Sequence, residues 1–378
     1  MFGQLALSQL QQLWWLIVSV VGSLFLMLTF VQGGQTLLFT LPRSDRERLL
    51  LVNSIGRKWE LTFTTLVLFG GALFAAFPLF YATSFGGAYW VWILILFTFV
   101  GQAVSYEYRR KPGNLLGTRS FDLFLFLNGS VGLLLIGAAV GTFFTGSNFS
   151  LNGYNLVTWQ HPLRGLEAAF NPYNVALGLF LVFHARVLGA LYLLSNIEHD
   201  GLNQRCRQAG FINLLLALPF LLFVLFRLVT MPGYAVDPAT GSVSLEAGKY
   251  LHNLLAMPAV LGLLLVGLLL VVWAVVAGRF LGSRRGIWFA GLGTVLVGLA
   301  LFSLAGYNDT AFYPSKFDLQ SSLTIHNASS SHYTLTVMSY VALAVPFVLA
   351  YIAYFWRLMD ARPLTLEQLE GEHSHDLY

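Results

Sequence analysis

Three carboxylates and three carboxamides border or enter the long apolar runs of this 378-residue chain: Glu60, Glu107, Asp122, Gln32, Gln35 and Gln102. Glu60 opens a run, Leu61 to Tyr81, that contains no charge at all. Glu107 sits at the end of another, within "SYEYRR", and Asp122 stands near the start of a third. Gln32 and Gln35 are about one helical turn apart, and lie roughly 12 to 16 Å along a helix from Arg43. Gln102 lies just over one turn before Glu107. Such groups can pass protons along a hydrogen-bonded chain. A carboxylate withdrawn from water and facing other acids is biased towards its protonated form, which suits proton pick-up and release near neutral pH. A plainer reading pairs Glu60 with Arg57 or Lys58 and Glu107 with Arg109 or Arg110, all snorkelling to an interface. Either way they need water or a partner, because an ionised group at a bilayer centre costs about 3 kcal/mol or more.

Other chemistries find less support. His184 and Arg186 interrupt one apolar run near its middle, but residues two apart on a helix point to nearly opposite sides and cannot share a ligand. His161, His199, His252, His326, His332, His373 and His375 fall in loops, run ends or the tail, so His184 has no second histidine at its depth for a haem. It reads as a buried donor to a neighbouring helix or subunit. No HxxxH or ExxH spacing occurs within a run. There is no P-loop, dinucleotide-binding glycine pattern, nucleophile elbow or CxxC. The single cysteine, Cys206, excludes a disulfide framework and reads as an inert thiol in the basic loop "NQRCRQ".

The elements that must hold these residues are membrane helices. The chain is 57% hydrophobic and 10% charged, against about 25% charged in a soluble domain. Nine spans are expected: Leu13–Leu41, Glu60–Tyr81, Ala88–Tyr108, Phe121–Phe144, Tyr173–Ser195, Ala209–Met231, Tyr250–Ala277, Gly286–Gly306 and Tyr333–Trp356. The first is too long for a signal peptide and lacks a cleavage site. The net charge of +4 does not indicate nucleic acid, because the basic residues form short clusters between apolar runs. Arg43, Arg46, Arg48, Arg57, Lys58, Arg109, Arg110, Lys111, Arg119, Arg205, Arg207, Arg279, Arg284, Arg285, Arg357 and Arg362 fall in alternate segments. This bias predicts an outside N-terminus and a cytoplasmic C-terminus. Glu60, Glu107, Asp122 and the three glutamines then share the cytoplasmic half of the first four spans.

The expected fold is all-α and polytopic, with nine transmembrane helices as two four-helix bundles plus one additional helix. A weak echo between "LFLMLTFVQGG" and "LFLVFHARVLG" suggests the division. Residues 1–145 form the first bundle, 146–306 an outer loop and the second bundle, 307–357 an outer segment and the ninth helix, and 358–378 a cytoplasmic tail. The outer segment carries anchors Phe312, Tyr313 and Phe317, a turn at Pro314, and Ser329 or Ser330 as the cap of span nine. The tail reads as a short solvated helix with a flexible end.

In order along the chain come "RSDRERLLLVNSI…WE", "GGALFAAFPLFYA", "SYEYR", "NPYNVALG", "YPS…SLTIHNASSSHYTLTVM" and "HSHDLY". Together these stretches resemble subunit II of cytochrome bd-type quinol oxidase, over nearly the whole chain. The resemblance implies a role in respiration, in which quinol is oxidised and oxygen reduced to water in the bacterial inner membrane. It implies a haem-free scaffold, not catalytic alone, forming a heterodimer with subunit I, which carries haems b and d. Acidic residues of subunit II would help deliver protons from the cytoplasm. A structural quinone or lipid and small single-helix accessory subunits are compatible with it, as is contact with the quinol pool. The family's acid after tryptophan falls on Glu60 and its acid before Tyr-Arg on Glu107. The chain departs from the pattern in span one, where "LTFVQGGQT" has none of the usual acids, and at Gln102, where arginine is usual. A proton path here is accordingly weakened, rerouted or absent. The alternative outside this family is a secondary transporter with a site between two bundles, which predicts broken helices or a charged midplane site.

Overall fold

The computed structural model describes residues 2–111 and 113–367. Among them are nine helices long and apolar enough to cross a membrane: span one Leu7–Phe39, span two Asp45–Ala76, span three Tyr89–Tyr108, span four Thr118–Thr145, span five Pro172–Asn196, span six Asp200–Thr230, span seven Pro258–Phe280, span eight Gly286–Gly306 and span nine His332–Met359. The count and order match the hydropathy reading. Several boundaries do not. Helix Asp45–Gly56 occupies what reads as a polar loop, capped by Ser44, whose hydroxyl accepts from Glu47 N. Span six begins at Asp200, with the His199 imidazole accepting from Leu202 N, so Cys206 is a buried helical residue and not a loop thiol.

Spans one, two, four and nine are interrupted. Span one changes from α-helix at Leu28 to a second segment, Phe30–Thr36, and then to a 3-10 turn. Span two has an elbow at Arg57 and Lys58. Span four carries a π-helical segment, Asn128–Gly132, which inserts an extra residue and turns its polar side chains relative to a regular helix. Span nine breaks at Leu343 and Ala344, next to Pro346.

Small residues let backbones approach, the usual device where lipid supplies no hydrophobic drive between helices. A Cβ on Gly33 of span one would lie 1.7 Å from the Ala185 carbonyl oxygen of span five. Span one also packs along span eight, so the two halves of the chain are knit together through their first helix.

The end opposite the arginines is covered by two antiparallel hairpins and a long segment. β1 (Phe149–Leu151) pairs with β2 (Val157–Trp159), and β3 (Gly233–Val236) with β4 (Val243–Glu246). Phe312 and Tyr313 of the segment are buried against Phe80 and Phe143. Burial pushes the Tyr313 hydroxyl up to about 12. Phe317, expected as a third anchor, is exposed. The cap of span nine is Ser331, whose hydroxyl accepts from Thr334 N at 3.3 Å, and not Ser329 or Ser330. Ser329 instead accepts from the Gln11 amide, and Ser330 donates to Ala75 O. The tail is expected as a solvated helix from Pro363, but its described start is packed, with Leu364 1% exposed and bridged to Ile197; the rest lies outside the described residues.

Candidate functional site

Span three presents Thr98, Gln102, Tyr106 and Arg109 at spacings of four, four and three, a single face of a helix. That face turns inward, against Gln32 and Gln35 of span one and Asp122 and Asn128 of span four. Gln32, Gln35, Gln102 and Asn128 are fully buried, and Asp122 is 1% exposed. Four of the six residues singled out in the sequence therefore come together. Asn128 and Thr98 belong with them but were missed. The stripe on span three was the available signal for Thr98; Asn128 depends on the π-helical segment, which the residue pattern does not announce.

The cluster has two parts. At the basic end Asp122 accepts from Arg109 Nε at 2.8 Å and lies 3.8 Å from Arg48. Arg109 is itself 6% exposed, so this is a buried ion pair with a second guanidinium at its edge. Deeper in the membrane the contacts are neutral and loose. Gln35 Nε2 donates to the Tyr106 hydroxyl at 3.2 Å, Gln32 Nε2 to Gln102 Oε1 at 3.5 Å, and Asn128 Nδ2 to Thr98 Oγ1 at 3.4 Å. Gln32 Oε1, Gln35 Oε1, Gln102 Nε2 and Asn128 Oδ1 are buried without a protein partner. An unmet buried polar group costs about 1 to 3 kcal/mol, and buried water ordinarily meets such groups. Gly129 makes the arrangement fit, because a Cβ there would lie 2.1 Å from Gln32 O.

Glu60 and Glu107 are not in this cluster. Both are exposed in the isolated chain. Glu107 lies 3.6 Å from Lys111, an exposed pair of neighbours on one helix and not the expected partner Arg109 or Arg110. Neither Arg57 nor Lys58 engages Glu60. Lys58 turns the other way, fully buried, to Asp360 at 2.9 Å and to the face of Trp356. Asn196 Nδ2 and the Tyr192 hydroxyl also reach Asp360. Glu60 nonetheless touches the cluster indirectly: Trp59, its neighbour, stacks on Tyr106 with centroids 5.8 Å apart.

His184 lies on span five facing span eight. Its Nε2 is 2.8 Å from Thr294 Oγ1, and the Thr294 hydroxyl donates to Ala290 O, so His184 Nε2 is the donor. Arg186 Nε donates to Asn213 Oδ1 at 2.7 Å and Nη1 to Thr36 O at 3.4 Å, where span one passes into its 3-10 turn. Among the described residues no group of three metal-ligating side chains occurs. Between spans five to eight lies an apolar cavity of about 210 Å³, walled by Leu181, Leu218, Val271, Leu301, His184 and Thr294 among others.

A family model described as cytochrome bd terminal oxidase subunit II matches residues 10–359. The chain is 29% identical to "Cytochrome bd-I ubiquinol oxidase subunit 2" of Escherichia coli (strain K12), over 98% of each chain. It is 25% identical to "Cytochrome bd ubiquinol oxidase subunit 2" of Bacillus subtilis (strain 168), over 95% of this chain and all of that one. A chain in the solved bd oxidase from Geobacillus thermodenitrificans has the same fold, with a TM-score of 0.60 at 12% identity, covering 94% of this chain and 98% of that one.

Proposed function

This chain belongs to the cytochrome bd terminal oxidase subunit II family, and from that premise we propose that it is the haem-free partner of a haem-bearing subunit I. It is thus a multi-pass membrane protein and a component of a quinol oxidase complex. In our reading the complex lies in the bacterial inner membrane with the basic end of this chain in the cytoplasm, as the charge bias requires. The second part of the proposal is that the column between spans one, three and four carries protons inward from that end.

The observation that carries the proposal is the set of four unpartnered polar atoms on Gln32, Gln35, Gln102 and Asn128. Water bridging them would join Tyr106 to Thr98 across roughly two helical turns of low-dielectric interior, about 12 Å at 1.5 Å per residue. Bridging water can pass an excess proton by successive transfers, with the amides, which do not titrate, orienting it as donors and acceptors, so the column needs no acid above Asp122. Asp122, fixed between Arg109 and Arg48, marks its mouth. Glu60 stands beside the column through Trp59, on the exposed face of span two with Thr64, Val67 and Phe74. An acid on such a face calls for cover, and a subunit seated there would enclose Glu60 and Glu107 at its edge.

Haem-free status is supported by the bond from His184 to Thr294 and the stacking of its ring on Phe180. The cavity beside it suits the tail of a quinone or lipid. Interrupted helices are what a transporter would also have, but membership in an oxidase family decides against that alternative. The test is co-purification: this chain, tagged, should bring down a haem-bearing subunit, and His184→Ala should leave the haem spectrum of the complex intact. Loss of one haem from an otherwise assembled complex would contradict the proposal.

A further inference from the structure

At the basic end, the turn between spans seven and eight reads "RFLGSRRG", residues 279 to 286, and carries three arginines and no acid. Arg207 of span six faces the same turn: its Nη2 donates to Gly282 O at 3.3 Å, and Gly282 holds a left-handed φ of 70°. One turn along span six, Phe211 meets Phe280 edge to face at 5.9 Å, which fixes the two elements together. Arg284 is spent on structure, donating to Leu194 O and Ile197 O at the end of span five. The other three are committed less: Arg207 through that single Nη2 contact, Arg279 over the Phe280 ring at 5.4 Å, and the Arg285 guanidinium to no partner among the described residues. Among the described residues, Arg207, Arg279 and Arg285 pair with no carboxylate, and Arg207 Nε is buried without a partner. Phe280, Leu281 and Trp288 are exposed beside them.

The geometry points to a binding site for the phosphate headgroup of an anionic phospholipid, held by Arg207, Arg279 and Arg285, with its acyl chains along Phe280, Leu281 and Trp288. Guanidiniums match phosphate oxygens with paired N–H donors, and a phosphate would give Arg207 Nε the acceptor that the chain does not. The apolar side chains next to the arginines distinguish a lipid from a soluble anion, which has no use for them. A charge bias that merely orients the chain would be met by arginines anywhere at this end and needs no buried unpartnered nitrogen.

The test uses the assembled, detergent-solubilised oxidase and spin-labelled phosphatidylglycerol, with spin-labelled phosphatidylcholine as reference. The wild type should bind the anionic probe preferentially, and the preference should fall with salt. R207Q/R279Q/R285Q should lose roughly fivefold per arginine engaged, whereas R110Q/R119Q, exposed arginines at the same end of spans three and four, should retain the preference. Equal loss in both variants would reduce the effect to general surface charge and overturn the site, as would an unchanged preference in the triple variant. If the triple variant does not assemble, R285Q alone serves, since Arg285 is exposed and its guanidinium has no partner among the described residues; full retention of the preference there would also count against the site. Inorganic phosphate that abolishes the preference, where chloride at equal ionic strength does not, would identify a soluble phosphate as the ligand instead.

Discussion

Asp122 is buried in the membrane with Arg109 2.8 Å from one carboxylate oxygen and Arg48 3.8 Å from the other. Removing one partner of a buried pair leaves the other uncompensated, at a cost of about 3 to 5 kcal/mol. Asp122→Asn should therefore lower the yield and thermal stability of the assembled oxidase, measured as haem retained after heating; stability equal to wild type would mean that Arg109 finds another acceptor. Glu60 predicts the opposite pattern. It is exposed on its own chain and no basic neighbour holds it, so Glu60→Gln should preserve assembly and haem content. Under the proton-entry reading, quinol-driven oxygen consumption should nevertheless fall, and Glu60→Asp should retain more of it. Wild-type turnover of Glu60→Gln across the pH range would make Glu60 structural. The two acids look alike in the sequence; what separates them is whether the neighbouring arginine reaches across to the same helix face.

At the scale of elements, the nine helices were legible because hydropathy alone sets them: a run of about 20 apolar residues has no other stable form in lipid. The amphipathic helix Asp45–Gly56 was not, since its polar positions Arg46, Asn53 and Ser54 look like loop until tertiary contacts bury Asn53 and Ser54. The site was half legible. Gln32, Gln35, Gln102 and Asp122 could be placed in the same half of the membrane by helical rise. Asn128 could not, because the π-helical segment that aims it depends on close packing at Gly129. Gly129→Ala puts a Cβ 2.1 Å from the Gln32 carbonyl, and overpacking of this kind costs roughly 1 to 3 kcal/mol. It should reduce both assembly and turnover, while Gly262→Ala, with nothing within 4 Å of the added Cβ, should leave both unchanged. Equal behaviour of the two variants would show that the segment tolerates regular helix. Lys58→Met, which strands Asp360 beside Tyr192 and Asn196, should likewise loosen the basic end and be recovered in part by Asp360→Leu in the double variant, read from haem retention on heating.

For the whole molecule, the arginine bias predicts which way the proposed column opens. A reporter fused after Tyr378 should be active in the cytoplasm, and one inserted near Gly241, in the tight exposed turn between β3 and β4, should be active outside. The reverse would turn the column's mouth away from the cytoplasm and remove its purpose. Given that orientation, the central claim is that the interior amides of this subunit conduct protons to the partner's oxygen chemistry. Gln102→Leu keeps the volume of the side chain and deletes the amide that faces Gln32. The direct measurement is proton uptake during a single turnover, when the fully reduced oxidase carrying this substitution is mixed with oxygen. The account predicts unchanged haem spectra and proton uptake slowed by about tenfold or more; uptake at the wild-type rate in that variant would contradict it.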